Sequence, residues 1–349
     1  MADEIKTLNG YKLADEAARE QAKTNAEAIA AINKKIEQQH FVLTQPQNDA
    51  VQRFAGLFQH VEGNSESFLF FADPHLCGSE NVSGRFETWL NQTATVYNST
   101  PTSLCVCAVD WLNDNNTREN ACWMLGLIDG AMKARFNNYI SILGNHDTNY
   151  QGYEYIETGR EDKTYDRSEC AKCQLSIAAI RALWYRKQKN AYFAIDGDCT
   201  RFYVFDSGLD WYQEMTEYRW EQAHWFARAL LSEKPQFAAI LMHIATATFA
   251  DHIMQIASAY NHHSKITVDG VEYDFENSTG TVGFALAGHE HCDYTFTRHE
   301  IPVVITANLK GTDDQPRFDL VLVDWEAGKL HMTRVGEGKD RTIELAGKL

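Results

Sequence analysis

Five short apolar runs divide this sequence, and each of them is followed by His, Asp or Asn. An apolar run without polar alternation is typical of a strand buried on both faces, as in parallel or mixed sheets covered by helices. Segments near 84–96 and 118–135 have helical character and separate the first three runs, which predicts βαβ units and an α/β fold. The runs cover residues 68–72, 104–109, 139–143, 237–242 and 282–287.

Weaker signals complete the predicted element order. The Asp-Gly-Asp stretch at 196–198 separates two strand-like segments and predicts a hairpin. An aromatic-rich helix is predicted at 211–232, and polar excursions at 148–190 and 244–280. Further strands are predicted near 293–297, 302–306, 318–324 and 330–334.

The polar residues that follow the apolar runs form a set of metal-ligand types. In open α/β sheets, ligands bind beyond the carboxyl ends of the strands, so we expect these side chains to converge. Imidazole, carboxylate and amide ligands without a thiolate suit Mn, Fe, Zn or Ni. The set is too large for one tetrahedral ion and fits two ions about 3.5–4 Å apart that share a carboxylate. Its members are Asp73, His75, Asp110, Asn145, His243, His289 and His291.

The charge of such a centre indicates its substrate. Two divalent ions and two carboxylates sum to about +2, which favours a phosphate group. His146 stands next to Asn145 without belonging to the ligand set, so it is a candidate for stabilising charge or protonating a leaving oxygen. Asp147 is a candidate for orienting that imidazole.

The order of the motifs resembles that of the calcineurin-like metallophosphoesterases. The resemblance spans about 66–300 and lies in the ordered set rather than in any one motif. It implies a four-layer α/β/β/α sandwich of two mixed sheets, here preceded by an N-terminal helix. The family usually has Gly before the bridging Asp, whereas this chain has Val109. The motifs are Asp-x-His at 73–75, Asp-x-x-Asn at 110–113, Gly-Asn-His-Asp at 144–147, His243, and Gly-His-x-His at 288–291.

The resemblance also implies a role for each residue. The implied reaction is hydrolysis of a phosphate ester by a metal-bound hydroxide. We expect the ester to be a phosphodiester, although the pocket walls at 148–190 and 244–280, and not the resemblance, decide between a diester and a monoester. His146 would be the catalytic imidazole, paired with Asp147. One ion would be held by Asp73, His75 and His291, and the other by Asn145, His243 and His289, with Asp110 as the bridge between them.

Residues 1–42 differ in character from the rest of the chain. The stretch 13–39 is rich in Ala, Glu, Lys and Gln and contains neither Gly nor Pro, which predicts a helix. Ile29, Ile32 and Ile36 follow coiled-coil spacing, and Ile at both core positions favours three or four strands. A coiled coil and a single amphipathic helix packed on its own domain both fit this pattern.

Three parts of the chain follow from these features. They are an N-terminal helix at 1–42, a connector at 43–65 with a short helix near 51–58, and a metallophosphoesterase domain at 66–340. A coiled coil would make the protein a homo-oligomer, and the oligomer expected is a trimer that forms through residues 13–40. The segment 8–15 resembles the N-terminal attachment helices of phage tail and baseplate proteins.

Composition limits the partners of the protein. The formal net charge of −16 disfavours nucleic acids and anionic membranes as general partners. No apolar stretch approaches the roughly 20 residues that cross a bilayer, and no signal-peptide pattern is present. We therefore expect a protein of the cytoplasm or of a phage particle, with reduced cysteines. The Cys pair at 170 and 173 lacks a second pair at zinc-ribbon spacing.

Two functional hypotheses remain open at this point. The first is a phosphate-ester hydrolase, and the second is an oligomeric structural or receptor-binding protein of a phage tail that uses the phosphoesterase fold as a scaffold. The two excursions would build the walls of the substrate pocket. Tyr150, Tyr153 and Tyr155 are candidates for its rim, whereas His252, His262 and His263 are expected to face solvent.

Overall fold

The computed structural model describes residues 7–8, 11–12, 42–61, 63–76, 85–112, 118–148, 192–208, 215–310 and 315–347. The predicted helix at 13–39, the three candidate rim tyrosines and the Cys pair at 170 and 173 lie outside these residues. Near the N-terminus, β1 (Thr7–Leu8) pairs antiparallel with β2 (Tyr11–Lys12). The coiled coil and the trimer therefore stay predictions.

Helices and strands alternate through most of the described chain. No described helix combines the length and the hydrophobicity needed to cross a bilayer. The helices are α1 (Gln45–Phe58), α2 (Arg85–Asn98), α3 (Arg118–Lys133), α4 (Glu217–Glu233) and α5 (Thr248–Asn261). The further strands are β3 (Ser65–Ala72), β4 (Leu104–Val109), β5 (Tyr139–Leu143), β6 (Phe193–Asp196), β7 (Arg201–Val204), β8 (Phe237–Leu241), β9 (Lys265–Val268), β10 (Val271–Asp274), β11 (Thr281–Ala287), β12 (Tyr294–Arg298), β13 (Ile301–Ile305), β14 (Phe318–Asp324), β15 (Lys329–Val335) and β16 (Arg341–Glu344).

Most of these strands form two six-stranded mixed sheets. The first sheet has the order β16-β15-β14-β3-β4-β5, and the second has the order β12-β13-β11-β8-β7-β6. Strands β3, β4 and β5 are parallel neighbours in the first sheet, as are β8 and β11 in the second. The five apolar runs are therefore parallel strands, and within each sheet their carboxyl ends lie at one edge.

Each sheet packs into two hydrophobic cores, one on each face. In β3, Phe68 and Phe70 point into a core shared by the two sheets, whereas Leu69 and Phe71 point into a core with α1, α2 and α3. The outer face of the second sheet packs against α4 and α5. The result is a four-layer α/β/β/α sandwich, so the predicted fold class is confirmed.

Two element boundaries differ from the prediction. Helix α1 begins at Gln45 rather than near residue 51. At its start, the backbone N–H of Thr44 donates to Gln47 Oε1 (2.9 Å), which stabilises the first turn. The buried side chain of Phe54 belongs to the core of the first sheet, so this helix is part of the globular fold. Strand β16 extends the same sheet beyond residue 340.

The stretch 244–280 is largely regular structure instead of the predicted polar excursion. It contains α5 and the β9–β10 hairpin. Phe249 and Ile253 recur at helical spacing and pack against the second sheet. They belong to an apolar stripe of the helix, which is hard to recognise in the sequence because polar residues lie between them. His262 and His263 are exposed as expected. His252 is half-buried, with its ring centroid 4.8 Å from that of Trp220.

Candidate metal centre

The ligand-type residues lie together at the edge where the parallel strands of both sheets end. Contacts between the sheets fix this edge: the backbone N–H of His289 donates to Asp73 Oδ2 (2.8 Å), and His243 Nδ1 lies 3.2 Å from the carbonyl oxygen of Ala108. Asp73 and His75 follow β3, Asp110 follows β4, Asn145 follows β5, His243 follows β8, and His289 and His291 follow β11.

Asp110 occupies the middle of this cluster. Its carboxylate is buried, and Oδ1 accepts a hydrogen bond from the backbone N–H of His146 (2.9 Å). Its Oδ2 faces three imidazole nitrogens, namely Nε2 of His243 at 3.1 Å, of His75 at 3.8 Å and of His146 at 3.9 Å. A carboxylate oxygen that faces ring nitrogens from both sheets has the surroundings expected of a bridging ligand.

Asp73, His75 and His291 form the first group, in which the ligand atoms lie within 4.8 Å of one another. The Nε2 atoms of His75 and His291 are 2.7 Å apart, and the two rings are inclined at 74°. Burial lowers the pKa of His75 to about 3 and also lowers the pKa of His291. Both rings are therefore neutral near pH 7, with lone pairs that can bind a cation.

Asp110, His243 and His289 form the second group. Asn145 adjoins it, because its Oδ1 lies 3.2 Å from His243 Nε2. Burial lowers the pKa of His289 to about 4 and raises that of Asp73 to about 7.

A proton on His243 compensates the two buried carboxylates that face it, Asp110 of this group and Asp73 of the first group. Burial opposes a charge on His243, but the neighbouring Asp110 and Asp73 outweigh it and raise its pKa to about 9. Burial likewise opposes a negative charge on Asp110. The facing imidazoles, of which His243 has the largest effect, outweigh burial and lower the pKa of Asp110 to about 2. A bound divalent cation would supply positive charge at the same place.

His146 lies at the surface of the cluster. Its side chain is 28% exposed, whereas that of Asp110 is 1% exposed. The rings of His146 and His75 are 4.9 Å apart and nearly perpendicular. His75, Asp110 and His146 form a third group of ligand-type atoms, which was not predicted because the sequence set His146 apart from the ligands.

The carboxylate of Asp147 is buried beneath the loops that carry the cluster. Its Oδ1 accepts a hydrogen bond from the backbone N–H of Leu112 (3.0 Å), and its Oδ2 accepts one from the backbone N–H of Gly144 (3.1 Å). These contacts join the chain after β4 to the chain after β5. The predicted pairing of Asp147 with the imidazole of His146 stays a prediction.

Four ligand-type residues have a left-handed backbone conformation. The φ angles are 52° at Asp73, 44° at His75, 72° at His289 and 56° at His291. Residues other than Gly adopt this region rarely, and each such case costs on the order of 1–3 kcal/mol. Strain of this kind concentrates at functional sites, and here it occurs where the chain leaves β3 and β11.

Two glycines permit close approach of the backbone at the cluster. A Cβ atom at Gly144 would lie 1.8 Å from Asp110 Oδ1, and one at Gly288 would lie 2.6 Å from the carbonyl oxygen of Ala108. Val109 is buried in the core between the first sheet and its helices, on the side away from the cluster. The departure from the family pattern at this position therefore displaces no ligand.

Ser207 positions the chain at His243 and was not predicted. Its Oγ accepts hydrogen bonds from the backbone N–H groups of His243 (3.0 Å) and Ile244 (2.8 Å). No motif marks a single serine in a loop. The contact becomes visible only with the sheet order, which places β7 beside β8.

The four-layer sandwich and the His- and Asp-rich cluster at its strand ends define a class of metal-dependent hydrolases. The sequence model of one family of this class, described as calcineurin-like phosphoesterase, matches residues 67–293. The chain belongs to this family, which confirms the resemblance found in the motifs. It is thus a phosphoric ester hydrolase, and it has candidate His and Asp ligand groups for divalent metal ions.

Two solved structures are similar to the chain over most of its length. The protein TT1561 of Thermus thermophilus has a TM-score of 0.42 at 10% identity, with 78% of this chain and 100% of that chain covered. A conserved uncharacterized protein from Streptococcus pneumoniae, a predicted phosphoesterase, has a TM-score of 0.33 at 8% identity, with 81% and 99% covered. No curated protein matches. The comparisons give no support to the alternative of a phage structural protein.

Proposed function

We propose that the protein hydrolyses phosphodiesters at a centre of two divalent metal ions. The observation that carries this proposal is the position of Asp110, whose Oδ2 has ring nitrogens of both ligand groups within 4 Å. A shared carboxylate suits ions about 3.5–4 Å apart. One ion would be held by Asp73, His75 and His291. The other ion would be held by Asn145, His243 and His289, and Asp110 would bind both ions.

The donor atoms fit the metals expected from the sequence. They are imidazole nitrogens and carboxylate and amide oxygens, a set that suits Mn, Fe, Zn or Ni. When bound, such ions polarise a phosphoryl oxygen and lower the pKa of water toward neutrality. The fixed left-handed turns at the ligands mean that the protein part of the site is largely formed in advance.

His146 is the residue that we assign to the leaving group. Its ring stands at the partly exposed edge of the cluster, and its backbone N–H is fixed on Asp110 Oδ1. An imidazole in this place can donate a proton to a departing alkoxide, which contributes typically 10²–10⁴-fold to a rate. Asp147 would assist by holding the His146 loop against the chain after β4.

Glu290 supports a phosphodiester over a monoester. It stands between the ligands His289 and His291, is exposed, and accepts a hydrogen bond from Thr246 Oγ1 (3.0 Å). Its negative charge beside these two candidate ligands repels a phosphate dianion more strongly than the monoanion of a diester. The charge of this side chain therefore favours the diester.

The proposal is tested by assaying the full chain, loaded with each of the four metals, on an aryl phosphate diester and the matching monoester. Asp110→Asn is the variant expected to be inactive, since it keeps the shape of the side chain and removes the bridging charge. We expect turnover of the diester by the wild type, a higher kcat/KM than for the monoester, and a loss of at least about 100-fold in the variant. Equal rates in both proteins, or no turnover with any metal, would contradict the proposal.

A further inference from the structure

A group of charged and polar side chains, buried at Arg334 and Asp319 and open to solvent at Asp293, joins the two sheets beside the ligand cluster. Arg334 on β15, Arg341 on β16 and Asp319 on β14 belong to the first sheet. Asp293 directly precedes β12 and Thr306 directly follows β13 in the second sheet. We call these five residues the inter-sheet clamp.

Hydrogen bonds connect every member of the inter-sheet clamp. Arg334 Nη2 donates to Asp293 Oδ1, to Asp319 Oδ2 (3.1 Å) and to Thr306 Oγ1 (3.1 Å). Thr306 Oγ1 in turn donates to Asp319 Oδ2 (2.7 Å). Arg341 Nη2 donates to Asp319 Oδ2 (2.9 Å) and lies 3.6 Å from Asp293 Oδ1. Two guanidinium groups thus hold two carboxylates from different sheets.

Stability of the fold alone is a weak reason for such a group. The side chains of Arg334 and Asp319 are 1% and 0% exposed, so both charges have lost their hydration. Removing an ion from water costs several kcal/mol, and well-packed apolar residues often replace buried ion pairs without loss of stability. In some proteins a buried ionic group instead holds its surroundings in one geometry.

The inter-sheet clamp holds one end of the loop that carries two predicted ligands. Asp293 stands two residues after His291, and its Oδ1 also accepts a hydrogen bond from the backbone N–H of Ala307 (2.9 Å). The other end of the loop is held at Gly288, whose N–H donates to the carbonyl oxygen of His243 (3.1 Å), and at His289, whose N–H donates to Asp73 Oδ2.

His289, at one anchor, and His291, between the two anchors, have φ angles of 72° and 56°. A backbone in this sparsely populated region persists only where its surroundings hold it. The anchor at Asp293 is the only part of the inter-sheet clamp within the loop that follows β11, so it is the point through which the clamp can act on the ligands.

We infer that Asp293, held by Arg334 and Arg341, is a positioning residue that keeps His291 in place for metal binding. The inference rests on the metal centre of the proposed function and assigns its support to residues outside the family motifs. Residues that orient metal ligands typically contribute 10–100-fold to metal affinity. The inter-sheet clamp would do so through the backbone of the loop.

The test compares Asp293→Asn with the wild type in the full chain freed of metal. The variant keeps the shape of the side chain and loses the charge that the two arginines hold. Titration with Co²⁺ gives the affinity, and the visible absorption of the bound Co²⁺ reports the geometry of its ligands. Asp129→Asn is the matched control, because Asp129 is a buried carboxylate that pairs with Lys133 (2.7 Å) and Tyr139 (2.6 Å) at the opposite end of β5.

We expect Asp293→Asn to bind the first Co²⁺ about 10–100-fold more weakly than the wild type and to show a changed absorption spectrum. Asp129→Asn should keep the affinity and the spectrum of the wild type, whatever its effect on the unfolding temperature. Arg341→Lys keeps the positive charge and removes the guanidinium fork, and it should shift affinity and spectrum in the same direction even if Asp293→Asn does not fold.

Two results would overturn the inference in different ways. Wild-type affinity and spectrum in both clamp variants would contradict the positioning role alone and leave the proposed function intact. A wild-type chain that binds no Co²⁺ would contradict the metal centre, and with it both the proposed function and the role of the clamp.

Discussion

The Nε2 atom of His75 lies 2.7 Å from the Nε2 atom of His291, although the two residues follow strands of different sheets. Burial lowers both pKa values, so the contact joins neutral rings rather than like charges. Two neutral imidazoles that meet beside a buried Asp73 form a group of ligand atoms that could hold a divalent cation. The two sheets are therefore joined at this point by the ligand cluster itself.

Replacing one of these imidazoles should remove one ion. We expect His291→Ala to contain about one ion per chain where the wild type contains two. The ion at Asp73 and His75 would lose one of its four ligands and keep only these two and the shared Asp110, which weakens its binding. Metal analysis of the purified proteins measures this. His262→Ala is the control, since His262 is exposed and pairs with Glu300 outside the ligand groups. Equal metal content in both variants would contradict the assignment.

His146→Ala should separate catalysis from metal binding. If His146 protonates the leaving group, the variant keeps both ions and loses about 10²–10⁴-fold in kcat on the diester. The measurement pairs metal content with steady-state kinetics. Loss of one ion would instead assign His146 to the third ligand group, with His75 and Asp110.

Gly144→Ala should disable the centre through Asp110. The added Cβ would lie 1.8 Å from Asp110 Oδ1, so either the carboxylate or the loop must move. We expect metal affinity to fall at least about tenfold. Gly56→Ala in α1 is the matched control, because a Cβ there meets nothing within 4 Å, and it should raise stability by up to about 1 kcal/mol. Wild-type metal binding in Gly144→Ala would show that the close approach is not required.

Glu290→Gln should change substrate preference rather than overall activity. Removing the charge relieves the repulsion of a dianion more than that of a monoanion. Unit charges 4 Å apart in water interact by about 1 kcal/mol, so the ratio of monoester to diester kcat/KM should rise roughly fivefold. The ratio is measured on matched aryl substrates. A constant ratio would remove the support that Glu290 gives to a diester.

Removal of metal should destabilise the fold. Without ions, the buried carboxylates of Asp73 and Asp110 depend on the compensation that His243 supplies. Free metal at about 100 times its Kd would raise the free energy of unfolding by about 2.7 kcal/mol, as measured by denaturant unfolding with and without a chelator. Asp110→Asn should respond much less to the chelator. An unfolding midpoint that chelation leaves unchanged in the wild type would argue against tight binding.

The strands that carry the ligands could be predicted from the sequence because they are buried on both faces. The run at 68–72 would look different in a sheet with one face in water, where polar residues alternate with apolar ones. Because β3, β4 and β5 are parallel, the candidate ligands at their carboxyl ends had to meet once the fold class was known. The order of the motifs predicted that two further strands, β8 and β11 of the second sheet, contribute residues to the same site.

Other features of the site depend on tertiary contacts that no local pattern encodes. The left-handed φ angles at His289 and His291 are not visible in a sequence, since histidine rarely adopts them without outside support. Ser207 and Arg334 act across strands that are far apart in the chain. Helix α5 was missed because its apolar stripe is interrupted by polar residues such as His252.

Anomalous diffraction from crystals of the Mn-loaded protein tests most directly whether Asp110 bridges two ions. We predict two anomalous peaks about 3.5–4 Å apart, with the Asp110 carboxylate between them. One peak would lie beside His75 and His291 and the other beside His243 and His289. A single peak, or two peaks without Asp110 between them, would contradict this bridging role.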